Sequence, residues 1–515
     1  MFARSLLPAL QQHAGEIGFI DAASGARVTF GEHLGRVTRL AGALRTELGL
    51  GPDDRIAVLS ANSLGYLELW HAALLGGAVM NPLNTRFSAD ELAYVLTDSG
   101  SKVCFVDAAY APVIAAVRER TPLEHVVLMG AGELAGAHPY EELLSAGEPD
   151  LPEEPEEDQA AVLIYTGGTT GRPKGVLIDQ RAEVLNQYHF AMRVPWERDA
   201  PFLIQTPMFH GASMLGVVGA PMFGVPSVVL PGFDPRASLA ATEEHGVGVT
   251  VLVPTMIAML LDHPEFAPER LRTLRRIVYG ASPMPPALLE RLLSALPGTE
   301  VIQGYGMTEG CTILTTLTDD DHRQGKRAGS AGRALPGVEL SIRGEDDEPL
   351  PLGEAGEVCA RGGNFMTGYL NLPDETARAL RGGWYHSGDV GRLDADGYLY
   401  LVDRAKDMII TGGENVYSVE VENAIASHPD VLQVAVIGIP HDTWGEAVHA
   451  VVVPRAGAVL SEEDVIAHAR TSIGGYKVPR SVELRTEPLP LSAAMKVLKK
   501  DLRAPYWGNR DRAIN

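Results

Sequence analysis

Thirteen residues hold the densest chemistry in the chain: Ile164-Tyr165-Thr166-Gly167-Gly168-Thr169-Thr170-Gly171-Arg172-Pro173-Lys174-Gly175-Val176. Two short apolar runs of strand character, Ala160 to Tyr165 and Val176 to Ile178, flank four glycines, three threonines and one lysine. Glycines let main-chain N–H groups approach a ligand closely. Thr hydroxyls and a Lys ammonium add donors that attract polyphosphate, and such a nest of donors makes a phosphate cradle. A flexible Gly/Thr hairpin loop is the plain alternative. Against it stands the joint presence of Thr-Thr-Gly and Pro-Lys-Gly between two strand-like runs. The loop is not a Walker A sequence, which needs Gly-Lys-Ser/Thr opening a helix, whereas Lys174 lies between Pro173 and Gly175. The triphosphate must therefore be used differently from a P-loop NTPase.

Further along, Val301-Ile302-Gln303-Gly304-Tyr305-Gly306-Met307-Thr308-Glu309 forms a second cluster. Tyr305 offers a ring to stack on a base. Thr308 offers a hydroxyl to a phosphate, and Glu309 a carboxylate to Mg²⁺, which takes one or two protein oxygens plus phosphate oxygens. Upstream, Ile277-Val278-Tyr279 runs into the small-residue turn Gly280-Ala281-Ser282, against which a flat ring can lie. In Trp384-Tyr385-His386-Ser387-Gly388-Asp389 and Val402-Asp403-Arg404, Asp389 suits two ribose hydroxyls and Arg404 a bridge from ribose to phosphate. A surface turn with a structural Asp–Arg pair is the competing reading. His210, after an aromatic in Pro207-Met208-Phe209-His210-Gly211, reads on its own as a capped core side chain. Lys496, in an irregular loop before a basic helix expected over Val497 to Arg503, reads as solvated.

The elements that must position these groups alternate. Ile56 to Leu59 and Val103 to Val106 read as strands, with a helix from Phe30 to about Leu48 and a capping box at Ser88-Ala89-Asp90-Glu91. Strands spaced by helices indicate an α/β region with a largely parallel sheet. An acidic, proline-rich linker from Pro149 to Asp158 leads into the phosphate loop. Beyond Lys406 the pattern changes to a small α+β unit: a helix over Glu420 to His428, strands over Val431 to Ile437 and Ala447 to Val453, and a helix capped at Ser461. A length of 515 residues accommodates two to four structural units, and 45% hydrophobic with 21% charged residues is a globular composition. The formal charge of −23 and the lack of any Lys/Arg run argue against nucleic acid as a partner. Cys104, Cys311 and Cys359 are too few and scattered for a disulfide framework or zinc site, which fits a cytoplasmic location. The uncharged stretch Gly211 to Phe233 is broken by Pro221, Gly224 and Pro226, so a buried helix, turn and strand are expected rather than a membrane span.

With these clusters in this order, the whole chain resembles the adenylate-forming superfamily, in particular its bacterial fatty-acyl-CoA ligases. The phosphate loop, Gly-Tyr-Gly-Met-Thr-Glu, Tyr-His-Ser-Gly-Asp, Asp-Arg-Ala-Lys-Asp and Gly-Gly-Glu-Asn-Val-Tyr carry the resemblance jointly. It implies an α/β fold: a large N-terminal domain of stacked α/β subdomains plus a small barrel-like sheet (residues 1–405), and a small mobile α+β C-terminal domain (406–515) with its hinge near Lys406. It implies ATP, Mg²⁺ and CoA, an acyl-AMP intermediate and a thioester product. Thr166, Gly167, Gly168, Thr169, Thr170, Gly171 and Lys174 would hold the phosphates. Gly280, Ala281, Ser282, Gly304, Tyr305, Gly306 and Met307 would frame the adenine, with Asp389 and Arg404 on the ribose. Thr308 and Glu309 would meet phosphate and Mg²⁺, Lys496 the reacting carboxylate, and His210 the acyl pocket. Gly412, Gly413 and Glu414 would approach a pantetheine tunnel.

Two departures stand out. Gly168 occupies a position where many members carry Ser, and Met495 one where Gly is usual. The small or apolar residues His210, Ala212, Met214, Met256, Ser282 and Cys311 point to an apolar monocarboxylic acid, a medium- or long-chain fatty acid first. The alternative is an aryl or specialised acid delivered to a carrier-protein thiol or an amine. The expected partners are thus a small carboxylic acid, ATP and CoA, without a transmembrane segment, and by analogy a second copy of the chain.

Overall fold

The computed structural model describes residues 2–151, 153–166, 172–404, 407–411, 414–492 and 495–508, without the side chains of Asp403 and Arg404. Of the expected site residues, Gly167, Gly168, Thr169, Thr170, Gly171, Lys406, Gly412, Gly413 and the side chain of Arg404 lie outside the described residues. Among the described residues the strands form three sheets of thirteen, eight and five strands.

The two larger sheets share one plan, a parallel middle continued by antiparallel strands. In the eight-stranded sheet, Ala160–Thr166 pairs in parallel with Val79–Pro82 and antiparallel with Lys174–Asp179. In the thirteen-stranded sheet, Val249–Leu252, Arg276–Gly280 and Glu300–Tyr305 run parallel. Thr315–Leu317 then pairs antiparallel and begins an arm that ends with Tyr385–Leu393, Gly356–Gly362 and Val338–Arg343. The strands expected as a small barrel-like sheet are therefore joined edge to edge to the parallel sheet. Buried strands such as Val103–Asp107 read as continuous apolar runs because helices cover both faces.

Local sequence rules place the helices. Thr29 caps Phe30–Thr46 and Ser88 caps Ala89–Ser99, each in a reciprocal capping box with a Glu three residues on. The stretch expected as a buried helix is shorter and irregular: a wide π-turn at Leu215–Gly219, one α-turn, then the strand Ser227–Val229. Pro221 cannot donate a backbone hydrogen bond, and its ring crowds the preceding turn. Among the described residues, no helix is long and apolar enough to cross a membrane.

The five-stranded sheet covers Ile409–Thr411 to Ser481–Leu484 and has its own apolar cluster around Ile409, Val421, Val436 and Val465. Ser461 caps its helix Glu462–Arg470 as the sequence predicts. The final helix starts at Lys499 instead of Val497. Val497 is taken by a β-bridge to Leu491, which closes the loop that carries Lys496.

Candidate active site

Thr166, Gly280, Gly304 and Tyr305 lie at the carboxyl ends of strands with parallel neighbours, where open α/β sheets bind ligands. Thr166 ends its strand and faces Lys174 across the antiparallel pair, so the base of the phosphate loop is clamped by sheet hydrogen bonds. The Lys174 Nζ donates to Glu375 Oε2 at 2.7 Å and stands 5.3 Å from the Tyr369 ring centroid. This hydrogen bond holds the Glu375 carboxyl below its usual range. The Tyr369 hydroxyl donates to Glu309 Oε1 at 2.9 Å. A chain of contacts thus links Lys174, Tyr369 and Glu309, which lie far apart in sequence.

Close backbone approach explains two of the glycines. Gly280 and Gly304 are partners in adjacent strands, and a Cβ on Gly280 would lie 2.2 Å from the Gly304 carbonyl oxygen. A Cβ on Gly306 would lie 2.1 Å from the carbonyl oxygen of Thr312. Between them the turn passes through Ala281 at φ +69°, a left-handed value for a residue with a side chain. Ser282 follows in the same turn. Tyr305, at the end of its strand, donates from its hydroxyl to Asp389 Oδ2 at 2.7 Å. The residue expected on the base and the residue expected on the ribose are therefore side by side. Asp389 also faces Arg404 in strand register.

Met307 precedes a single 3₁₀ turn, Thr308–Gly310, after which Cys311 and Thr312 both take positive φ, +50° and +99°. Such values are costly for Cys and more so for β-branched Thr, and persist where surroundings over-determine them. Here the Thr312 N–H donates to the Met307 carbonyl at 3.0 Å, and its Oγ1 donates to the Gly211 carbonyl at 3.0 Å. That second bond ties the His210 segment to the Thr308–Glu309 turn. His210 Nδ1 accepts from the Ala212 N–H at 3.1 Å. Burial, and after it the charge of Lys496, push the imidazole down to about 3, so it is neutral at working pH.

Lys496 reaches this place on the loop between Leu491 and Val497. Its N–H donates to Ser492 Oγ at 3.1 Å, and its carbonyl accepts from the Ser492 N–H at 2.7 Å. Arg86 donates to the Leu491 carbonyl at 2.7 Å, and Thr255 to the Met495 carbonyl at 2.8 Å. The solvated lysine of the unaided sequence reading is thus half-buried, and its charge acts on His210.

Residues 8–370 match the family model for AMP-binding enzymes, and residues 420–496 that for the AMP-binding enzyme C-terminal domain. The chain belongs to the AMP-binding, adenylate-forming enzymes, in their acid–CoA ligase group. It is 39% identical over 484 residues, 94% of either chain, to a feruloyl-CoA synthase of Amycolatopsis sp. It is 36% identical over 490 residues, 95% of either chain, to the long-chain-fatty-acid–CoA ligase FadD13 of Mycobacterium tuberculosis. Its structure superposes on ATP-bound MatB from Rhodopseudomonas palustris with a TM-score of 0.89, at 28% identity over 99% of this chain and 100% of that one.

In this AMP-binding enzyme, residues that sequence reasoning passed over contact the expected ones. Tyr369, Glu375 and Thr312 connect the expected groups, while Arg86 and Thr255 hold the Lys496 loop. Each has a partner at least 60 residues away, so no local pattern marks it. A further group, Glu357, Cys359 and His386, stands on adjacent strands under Asp389. His386 Nδ1 lies 2.8 Å from Glu357 Oε2 and 3.2 Å from Cys359 Sγ, and Glu357 Oε1 accepts from the Gly388 N–H at 3.0 Å. The three ligand atoms are close enough to hold a metal ion, a cluster that counting cysteines alone does not reveal. Their hydrogen bonds also buttress the Gly388 turn, at φ +70°, that presents Asp389. For Mg²⁺ the donor set at Glu309 fits: a buried carboxylate beside the Thr308 hydroxyl offers hard oxygens.

Proposed function

We propose that this enzyme joins an apolar monocarboxylic acid to CoA through an acyl-AMP. The observation that carries the reading is the anchoring of the Lys496 loop by Thr255 and Arg86, with the lysine's charge acting on neutral His210, beside a framework whose contacts run back to Lys174. In the first half-reaction a carboxylate oxygen attacks the α-phosphorus of ATP, the bond to the β-phosphate oxygen breaks, and pyrophosphate leaves. Both reactants are anions, so catalysis is largely placement of positive charge. Lys174, Thr166 and the loop residues 167–171 hold the β- and γ-phosphates. Thr308 and Glu309 serve phosphate and Mg²⁺, which when bound neutralises phosphate charge. Lys496 stands at the reacting oxygens. The acid needs no general base, being ionised at neutral pH. Tyr305 and the Gly280-Ala281-Ser282 turn frame the adenine, with Asp389 and Arg404 on the ribose.

In the second half-reaction the CoA sulfur attacks the acyl carbon and AMP departs. We assign residues 1–405 to the adenylation unit and 406–515 to a unit that turns about Lys406, withdrawing Lys496 and bringing Gly412, Gly413 and Glu414 to the thiol. Three free, buried cysteines suit a reducing compartment such as the cytoplasm.

His210 is uncharged, and Met214, Met256 and Cys311 are buried in apolar clusters. These groups favour an acyl chain without a second carboxylate, a medium- or long-chain fatty acid first. An aryl acid is the second reading, supported by the 39% identity to a feruloyl-CoA synthase. The test is AMP and pyrophosphate release with ATP, Mg²⁺ and a panel of aliphatic and aryl acids, with and without CoA, products read by mass spectrometry. A thioester that forms only with CoA confirms the ligase and names its acyl class. Trapped acyl-AMP without thioester moves the acceptor to a carrier-protein thiol or an amine.

A further inference from the structure

Met495 stands next to Lys496 at a position where its relatives are expected to carry glycine, and its backbone shows why: φ is +60°, the left-handed region that suits Gly and strains any other residue. Strain of this kind persists only where neighbouring contacts hold it. Two contacts do so, an apolar seat and a hydrogen bond from the helix Pro254–Leu261. The Met495 side chain packs on the apolar cluster that contains Met256, Ile257 and Leu260 of that helix. The Met495 carbonyl accepts from Thr255 Oγ1, at 2.8 Å. Further back on the same side of Lys496, Arg86 Nη1 donates to the Leu491 carbonyl at 2.7 Å. Leu491 and Met495, both just before Lys496, are therefore pinned by a donor from a turn (Arg86), a donor from a helix (Thr255) and an apolar seat, all in the N-terminal part of the chain.

We propose that Met495, Thr255 and Arg86 form a latch that seats Lys496 for acyl-AMP formation and must open before thioester formation. Met495 is the element particular to this chain. A glycine would sit in the same backbone conformation without strain but would leave its place against the apolar cluster unfilled. A flexible, unbranched Met side chain fills such a seat well. The inference rests on the reading that Lys496 serves the first half-reaction only. Met495, Thr255 and Arg86 are positioning residues, since each acts through the loop.

The two half-reactions measured separately test it: pyrophosphate release from ATP and acid without CoA, and thioester formation from supplied acyl-adenylate and CoA. Met495→Ala keeps the strain and loses the anchor, so acyl-AMP formation should fall about tenfold, the scale of partly unburying one such side chain. Met495→Gly loses the anchor but also the strain and should fall less, while Met495→Leu should restore most of the rate. Thr255→Val removes one hydrogen bond to a neutral carbonyl and should cost about fivefold. Thioester formation should be unchanged or faster in all of them. Parallel loss of both half-reactions, or a Met495→Gly rate equal to or above that of Met495, overturns the latch. Lys496→Ala separates the two layers of argument. If it leaves acyl-AMP formation intact, the assignment of Lys496 fails. If it abolishes that step while the latch variants do not slow it, only the latch fails.

Discussion

Two lysines approach the site from opposite ends of the chain, and they are held in different ways. Lys174 is the first residue of a strand inside the eight-stranded sheet, and its side chain is only 14% exposed, between the Glu375 carboxylate and the Tyr369 ring. Its backbone position is secured by the ladder with Ala160–Thr166. Lys496 stands on an irregular loop closed by a single bridge, and its position depends on two side-chain donors and one strained neighbour. Each such hydrogen bond is worth about 1 kcal/mol net. In the function proposed, the cation that serves the triphosphate throughout is built into a sheet, while the cation proposed to come and go is fastened by a few separable contacts. Elements that move during function are drawn from weakly attached parts of a fold.

The comparison breaks most visibly at Lys496. Lys496→Ala should lower acyl-AMP formation by roughly 10²–10³, the usual loss when one well-placed charge donor is removed from a developing anion. Thioester formation from supplied acyl-adenylate should be preserved. Single-turnover kinetics of each half-reaction decide the matter. An equal loss in both would mean that Lys496 stays in place throughout, as Lys174 does.

Much of this division could be read in the sequence. The strands on either side of the phosphate loop, the capping boxes at Ser88 and Ser461 and the parallel α/β plan follow from local patterns, and local patterns survive in the fold. The proximity of Tyr305 to Asp389, or of Glu309 to Tyr369, rests on contacts 84 and 60 residues apart. Spacing along the chain does not encode them, and only the resemblance had grouped Tyr305, Asp389 and Glu309. Lys496 looked solvated because its loop is polar and irregular, and its seat is made by Arg86 and Thr255, more than 200 residues away. The helix expected from Val497 starts later because tertiary bridging took Val497 first. Met495 was legible as an unusual residue, but its positive φ and its apolar seat needed the structure.

At Lys174 the expected effects are smaller and of two signs. Lys174→Ala should raise KM for ATP about tenfold, as a partly screened charge contact to phosphate is lost. Glu375 holds the same ammonium with a carboxylate, so an arriving phosphate must compete with it. Glu375→Gln keeps the shape and removes the charge, and should lower KM for ATP by about two- to threefold, the scale of a surface ion pair. In the Lys174→Ala background the Glu375→Gln change should have no effect on KM. A rise in KM for Glu375→Gln alone would instead make Glu375 a brace that orients the lysine.

The finest test concerns His210, which senses Lys496 and not Lys174. Its imidazole is held at about 3, first by burial and then by the Lys496 charge. In the pH window between about 3 and the ordinary value of 6.5, the folded protein binds fewer protons at this site than the unfolded chain. His210 therefore contributes stability above that window and loses it as pH falls through it. Lys496→Ala removes the smaller of the two causes, so the His210 value should rise slightly and stay well below 6.5, with a matching small gain in acid stability at this site. Lys174→Ala should leave it unmoved. Imidazole nitrogen shifts followed by NMR across the acid range read this directly. A His210 titration indifferent to Lys496→Ala would separate the two groups, and with them the seat proposed for the catalytic loop.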